Sequence, residues 1–388
     1  MSQKSEIIII GGGVIGTSIA YQLAKRGKKV TLMESHDHAS GASGSCDQNI
    51  FLQSKNPGIH LELALASAKM FDGLEEELGS PIEYHRRGGM ILIESPAEME
   101  IMKSFVARQK QIGLEVDIIG RSEAIKLQPG LAEHIVGSTY STMDAEVNPI
   151  ELNIAYARAA RKLGVDIKLE TAVTDLMISN NRVIGVVTNK GEFQADLVVN
   201  ATGAWAAQIA AMAGLQVPIK PRRGQIIITE PVPRFIKKGI LSAQYIVAKY
   251  NPQLLEKSSS LGVKLGVGLS LSQTDKGNIL IGATREFVGY DTTNSREGIR
   301  EILKNATRLI PPLQNVNIIR TMGGIRPYTP DGLPLVGFVK GIDGLFMAAG
   351  HEGDGIALAP VTGRIAAELI TEGKAFIDVE PLNPNRFN

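Results

Sequence analysis

Three glycines near the N-terminus have the spacing to hold a pyrophosphate. Gly11, Gly13 and Gly16 form G-x-G-x-x-G between an aliphatic run at 6–10 and a helical pattern in which Ile15, Ile19 and Leu23 recur. The first glycine permits a tight turn, the second admits phosphate close to the backbone, and the third lets helix and strand pack. The amides that open the helix, among them those of Val14 and Ile15, together with the helix dipole favour an anion. Glu34 stands eighteen residues after Gly16, at the end of a second expected strand at 30–33. A carboxylate there accepts hydrogen bonds from ribose hydroxyls. A glycine turn with no ligand is the plainer alternative, but strand, helix and acid together favour a nucleotide.

These groups need a βαβ unit to position them, and the N-terminal pattern supplies one, the start of a doubly wound, Rossmann-like parallel sheet. A long helix is expected over 59–78, closed by Gly79 and Pro81. Strands at 89–94, 225–230, 245–249 and 279–284 lack a helix after each one, the pattern of an antiparallel sheet. Between them Asn148 and Pro149 read as N-cap and first residue of a helix that Gly164 ends, followed by strands at 166–170, 183–188 and 197–200. Glycine turns are expected at 323–324 and 350–355, and a last helix over 356–371. The fold class is thus α/β plus α+β, with two interleaved domains. Residues 1–80, 145–215 and 320–388 form the dinucleotide domain; 81–144 and 216–319 form an inserted antiparallel substrate domain.

Charge and composition narrow the function classes. Lys and Arg total 41 against 40 Asp and Glu, with no long like-charged block, so neither nucleic acid nor an anionic membrane is an expected partner. The single cysteine, Cys46, cannot form an internal disulfide or supply an iron–sulfur cluster or structural zinc site, and a reducing cytoplasm is expected. Residues 7–24 have the length of an export signal, but the glycines that interrupt them are explained by the nucleotide reading. No segment has the roughly 18 consecutive apolar residues of a membrane span.

A second glycine turn carries a family resemblance. Asp196-Leu197-Val198-Val199-Asn200 runs into Ala201-Thr202-Gly203-Ala204-Trp205. With Val147-Asn148-Pro149, Arg223-Gly224-Gln225, Ile281-Gly282-Ala283-Thr284-Arg285-Glu286 and Arg326-Pro327-Tyr328-Thr329-Pro330-Asp331-Gly332-Leu333-Pro334, the chain resembles the D-amino-acid-oxidase-like FAD-dependent oxidoreductases. Ala349-Gly350-His351 and Leu358-Ala359-Pro360-Val361-Thr362-Gly363 extend the likeness to the C-terminal helix. The group includes glycine oxidase, sarcosine oxidase and the beta subunit of dye-linked proline dehydrogenase, and the resemblance spans essentially the whole chain.

The resemblance implies noncovalent FAD and hydride transfer from the Cα of a small amino acid, N-methyl amino acid or imino acid to flavin N5. No protein nucleophile is needed for that step. It also implies that Ala201, Thr202, Gly203 and Trp205 pass close to the dinucleotide, and that Val173 holds the adenine through its backbone. An ordinary core strand residue is the plainer alternative for Val173. Ser43, Gly44, Ser45 and Cys46 belong to a loop near the flavin, and Gly324 to a turn beside it. Arg326 is the carboxylate anchor, since a planar guanidinium offers two parallel donors; Tyr245 matches a second carboxylate contact. Gly350, His351, Glu352, Gly353, Asp354, Gly355 and Ile356 lead into the last helix and face the pyrimidine end of the flavin. His351 could be a plain turn residue. Asp354, where relatives carry histidine or asparagine, is either a solvated turn residue or a pocket-mouth carboxylate that selects a second cationic group. Lys264 resembles an oxygen-activating lysine, but no role is assigned to it. The electron acceptor is oxygen or a partner; the alternative reading is the flavin subunit of a hetero-oligomeric dehydrogenase. Homo- or hetero-oligomeric assembly stays open.

Overall fold

The computed structural model describes residues 3–244, 246 and 259–387. Tyr245 and most of the strand expected at 245–249 lie outside them; Ile246, the one described residue of that strand, is helical. Among the described residues, two sheets organise the chain.

The first sheet runs in the order Leu335–Phe338, Leu345–Ala349, Gly191–Asn200, Gln3–Ile10, Val30–Met33 and Asp166–Lys168. Its central pairings are parallel, and an antiparallel ribbon of Val173–Ser179 and Arg182–Thr188 joins Gly191–Asn200. Helices must cover both faces of such a sheet, so its strands read as continuous aliphatic runs. Ile7 and Ile9 enter one buried cluster with Leu32 and Val199, while Ile8 and Ile10 enter the opposite one with Met33 and Val198.

Val14–Lys25 covers one face and packs on the last helix, Gly355–Glu372. The approach is close: Ser18 donates to Ala359 O at 2.8 Å, and a Cβ on Gly363 would collide with the Ser18 hydroxyl. Pro149–Lys162 starts as expected, with the Asn148 side chain accepting from the amides of Ile150 and Glu151 at 3.1 and 3.3 Å. Such a cap stabilises a helix by about 1 kcal/mol. The helix expected over 59–78 is two, Ile59–Phe71 and Leu74–Leu78, because Gly73 turns the chain with φ 80° between them.

The second sheet runs Ile318–Tyr328, Lys220–Pro231, Asn278–Gly282, Ser270–Gln273, Gly239–Ser242, Gly89–Ile93, Gly137–Ser141 and Asp117–Gly120. It is antiparallel except where Gly239–Ser242 pairs in parallel with Gly89–Ile93. The helix Arg296–Leu309 buries Ile302, Ala306 and Leu309 against it. Ile318–Tyr328 crosses residue 320, the expected domain boundary, so this sheet continues past that boundary to Tyr328. Gly323 and Gly324 accordingly lie inside a strand and not in a turn. Their lack of side chains has another cause: a Cβ on Gly323 would strike Thr292 O, and one on Gly324 would lie 2.7 Å from Ser45 Cβ.

Candidate active site

In the glycine turn, Gly11 and Gly16 sit where backbone leaves no room for a Cβ. Gly11 has φ 107° and donates to Met33 O at 2.8 Å; a Cβ on it would lie 2.6 Å from Ala201 O. A Cβ on Gly16 would overlap the Gly11 carbonyl. Gly13 is the N-cap, with no side-chain cap and no acid in the first turn, so the positive end of the helix is not neutralised by its own sequence. Ser43 reaches in from the 43–46 loop, its Oγ accepting from Val14 N at 3.0 Å, while Ile15 is buried beneath. Asn153 Nδ2 donates to Gly12 O at 2.9 Å and fixes the turn from behind. A helix start with no acid in its first turn, facing a glycine cradle, fits a dinucleotide pyrophosphate.

Glu34 stands where the motif requires, and its Oε2 accepts from Gly12 N at 2.7 Å. Its Oε1 accepts from His36 N at 2.9 Å and Ser35 Oγ at 3.1 Å. Ser40 Oγ adds a longer contact to Oε1 at 3.4 Å, so Oε1 is filled, whereas Oε2 has the Gly12 amide as its partner and keeps a lone pair for a ribose hydroxyl.

Ala201 N donates to Ile10 O at 2.9 Å, bringing the second glycine turn against the first. Thr202 Oγ1 donates to Asn200 Oδ1 at 2.8 Å, and Gly203 takes φ 55°. Trp205 is 38% exposed and stacks on Tyr290 with centroids 5.6 Å apart. Val173 begins its strand beside Thr188 and is half-buried against the Ile8 and Met33 cluster, so the structure is compatible with both readings of it.

The loop carrying Ser43, Gly44, Ser45 and Cys46 lies against the strand that carries Arg326. A Cβ on Gly44 would collide with Ala39 O, and Ser45 occupies the space Gly324 leaves. Burial pushes the Cys46 thiol well above its ordinary range, with the nearby Arg326 charge acting the other way, so the thiol is a poor nucleophile. Arg326 Nη1 donates to Thr284 O at 3.0 Å. The guanidinium lies over Gly224, where any Cβ would strike it, and a Cβ on Gly353 would be 3.7 Å from its Nε. Arg326 therefore joins the second sheet to the start of the last helix.

In that start, Gly350 takes φ 88°, and a Cβ on it would lie 2.7 Å from Thr329 Cγ2. His351 is 3% exposed, with Nε2 3.1 Å from Thr362 Oγ1; burial lowers its pKa to about 3 and keeps the ring neutral. Glu352, at φ 51°, pairs with Arg222, which lies over the Tyr328 ring at 4.7 Å. Gly355 and Ile356 open the helix. Asp354 overturns both expectations made for it: it is 8% exposed, ion-paired with Lys55 and 3.0 Å from His60 Nε2. It is neither solvated nor available to a cationic substrate. Lys264 ends a one-turn helix with its side chain exposed. Asn153, Lys55 and His60 were not legible as site residues: each is brought there by packing of distant segments, and no local spacing marks them.

Residues 6–369 match the FAD dependent oxidoreductase family, and the chain belongs to it. It is 31% identical to glycine oxidase of Geobacillus kaustophilus, over 100% of this chain and 98% of that one. It is 30% identical to the hydrogen cyanide synthase subunit HcnC of Pseudomonas aeruginosa, over 100% and 97%. The crystal structure of L-proline dehydrogenase from P. horikoshii superposes with a TM-score of 0.90 at 33% identity, over 100% of this chain and 98% of the other.

Proposed function

We propose that this protein uses FAD to oxidise a small amino acid, N-methyl amino acid or imino acid at its Cα. The observation that carries the reading is the place of Arg326, beside Gly353 at the start of the last helix and near Cys46 of the 43–46 loop. Relatives named for glycine oxidation and proline dehydrogenation support it.

When bound, FAD supplies the acceptor for the hydride that leaves Cα. Gly11, Gly13, Val14, Ile15 and Gly16 would hold the pyrophosphate, Glu34 the ribose, and Val173, Ala201, Thr202, Gly203 and Trp205 the adenosine side. Ser43, Gly44, Ser45, Cys46, Gly324 and the amides of 350–356 would line the flavin side. Arg326 would fix the substrate carboxylate with a two-pronged contact, and a single orientation of Cα follows from that plane. Tyr245 is proposed as the second carboxylate contact. The substrate is proposed to lie between two units, 1–80 with 145–215 and 320–388, and 81–144 with 216–319, whose boundary at 320 the strand Ile318–Tyr328 crosses.

Two acceptors are compatible with this reading, oxygen or a partner subunit. The relation to a protein named as a synthase subunit favours keeping the second. Among the described residues no helix is long and apolar enough to cross a membrane; a cytoplasmic setting is proposed from the single cysteine. The test is anaerobic mixing of the purified protein with a panel of amino acids, then admission of oxygen. Bleaching of the flavin absorption identifies substrates and the reoxidation rate identifies the acceptor class; no bleaching with any amino or imino acid overturns the proposal.

A further inference from the structure

Asp354 holds the N-cap position of the last helix, where an aspartate ordinarily folds its carboxylate over the first-turn amides. It does not: its side chain makes no capping bond. Instead Oδ1 meets the Lys55 ammonium and Oδ2 lies 3.0 Å from His60 Nε2. Lys55 is 3% exposed and His60 2%. The lysine is held in turn by Ser54 Oγ at 3.1 Å, and Gln109 Nε2 donates to the carbonyls of Gln53 and Lys55 at 3.0 Å, which fixes the backbone beneath it. A buried charge is costly unless paired, so this arrangement has one stable form. A local capping rule is broken where the proposed flavin side begins, and such departures concentrate at functional sites.

We infer that Lys55 and His60 are positioning residues that hold the Asp354 carboxylate back from the first turn of the last helix, keeping that turn's amides open to the flavin. This rests on the functional reading above. The pair has two consequences. It neutralises the acidic side chain at the N-cap, as Arg222 does for Glu352 two residues before it, and it prevents the Asp354 side chain from occupying the amides itself. Removing Lys55 releases an uncompensated negative charge at the place where the reduced ring gathers negative charge. Removing the Asp354 charge leaves the Lys55 cation uncompensated and acts in the opposite sense.

The experiment compares wild type, Lys55→Met, Asp354→Asn and the double variant as FAD-loaded proteins. Each is titrated with sulfite, whose adduct with flavin is anionic, and each bound flavin's midpoint potential is measured by dye equilibration. Lys55→Met should weaken sulfite binding on the order of tenfold and lower the potential. Asp354→Asn should tighten sulfite binding and raise the potential, and the double variant should return towards wild type. A residue with only a packing role would shift neither property with sign. Shifts in the same direction for both single variants, or none, overturn the inference. If Lys55→Met does not fold, the decision rests on Asp354→Asn against the double variant: tighter sulfite binding in the former supports the inference, equality overturns it. A wild-type protein that takes up no FAD overturns the functional reading itself.

Discussion

Asn153 reaches from the middle of the helix Pro149–Lys162 to the Gly12 carbonyl, placing its Nδ2 2.9 Å from that oxygen. The side chain is fully buried, and its amide also comes within 3.4 Å of Thr17 Oγ1. Asn153→Leu removes the donor and leaves the Gly12 carbonyl buried without it, at a cost of about 1–3 kcal/mol. The expected outcome is a lower unfolding midpoint and a several-fold weaker FAD affinity by equilibrium dialysis, with the lowered midpoint partly restored by saturating FAD. An FAD affinity equal to wild type removes Asn153 from the site.

The cofactor is expected to leave intact. Cys46 is half-buried, and desolvation pushes its thiol towards the neutral form, unsuited to a thioether link. Heat or acid denaturation should release unmodified FAD into the supernatant. Flavin kept in the protein pellet contradicts this.

Glu34→Ala should weaken FAD retention by roughly tenfold to a hundredfold, the range for hydrogen bonds to a charged acceptor at about 1.5–3 kcal/mol. The structure adds a second reason: the same carboxylate orients the Gly12 amide at 2.7 Å. Equilibrium dialysis measures the effect, and unchanged affinity counts against both roles.

Arg326→Lys should harm turnover of amino acids far more than it harms flavin binding, raising KM and lowering kcat together. Lysine keeps the charge and loses the plane, so Cα is no longer held in one orientation. A simple amine without a carboxylate is the control, since it never used the guanidinium. An unchanged ratio of amino-acid to amine reactivity shows Arg326 to be structural.

Two buried groups tilt stability with pH in opposite directions. Burial raises Asp144 from its ordinary 3.8 to about 7, opposed by bonds from Gln53 and Leu52 N–H. The folded state therefore holds a proton that the unfolded state has lost, and this contribution declines as pH rises from about 4 through 7. His351 is lowered from 6.5 to about 3, so the unfolded state takes up the proton first, and stability from the neutral ring is lost as pH falls below about 6.5. Relative to wild type, Asp144→Asn should gain stability between pH 5 and about 7 as pH rises, and His351→Gln should gain as pH falls. Denaturant melts at both ends of that range check the signs; parallel pH profiles for all three proteins refute the assignment.

The sequence by itself determined what depends on near neighbours. The spacing of Gly11, Gly13 and Gly16, the Asn148 cap and the unbroken run from Ile7 to Ile10 are local requirements, and each was readable without coordinates. The helices Pro96–Gln111 and Arg296–Leu309 went unread although Ser95 and Ser295 cap them; the first has mixed periodicity, but the second was legible, with Ile299, Ile302, Leu303, Ala306 and Leu309 recurring at helical spacing. Gly323 and Gly324 misled because a glycine needed for close approach in a strand looks the same in sequence as one needed for a turn; only the positions of Ser45 and Thr292 distinguish the two. Asp354 was decided wholly by tertiary structure. Its neighbours in sequence mark it as a turn or cap residue, but its energy is set by Lys55 and His60, some three hundred positions away and buried with it. Local spacing specifies backbone geometry, whereas the charge environment of a buried group depends on which distant segments the fold packs around it.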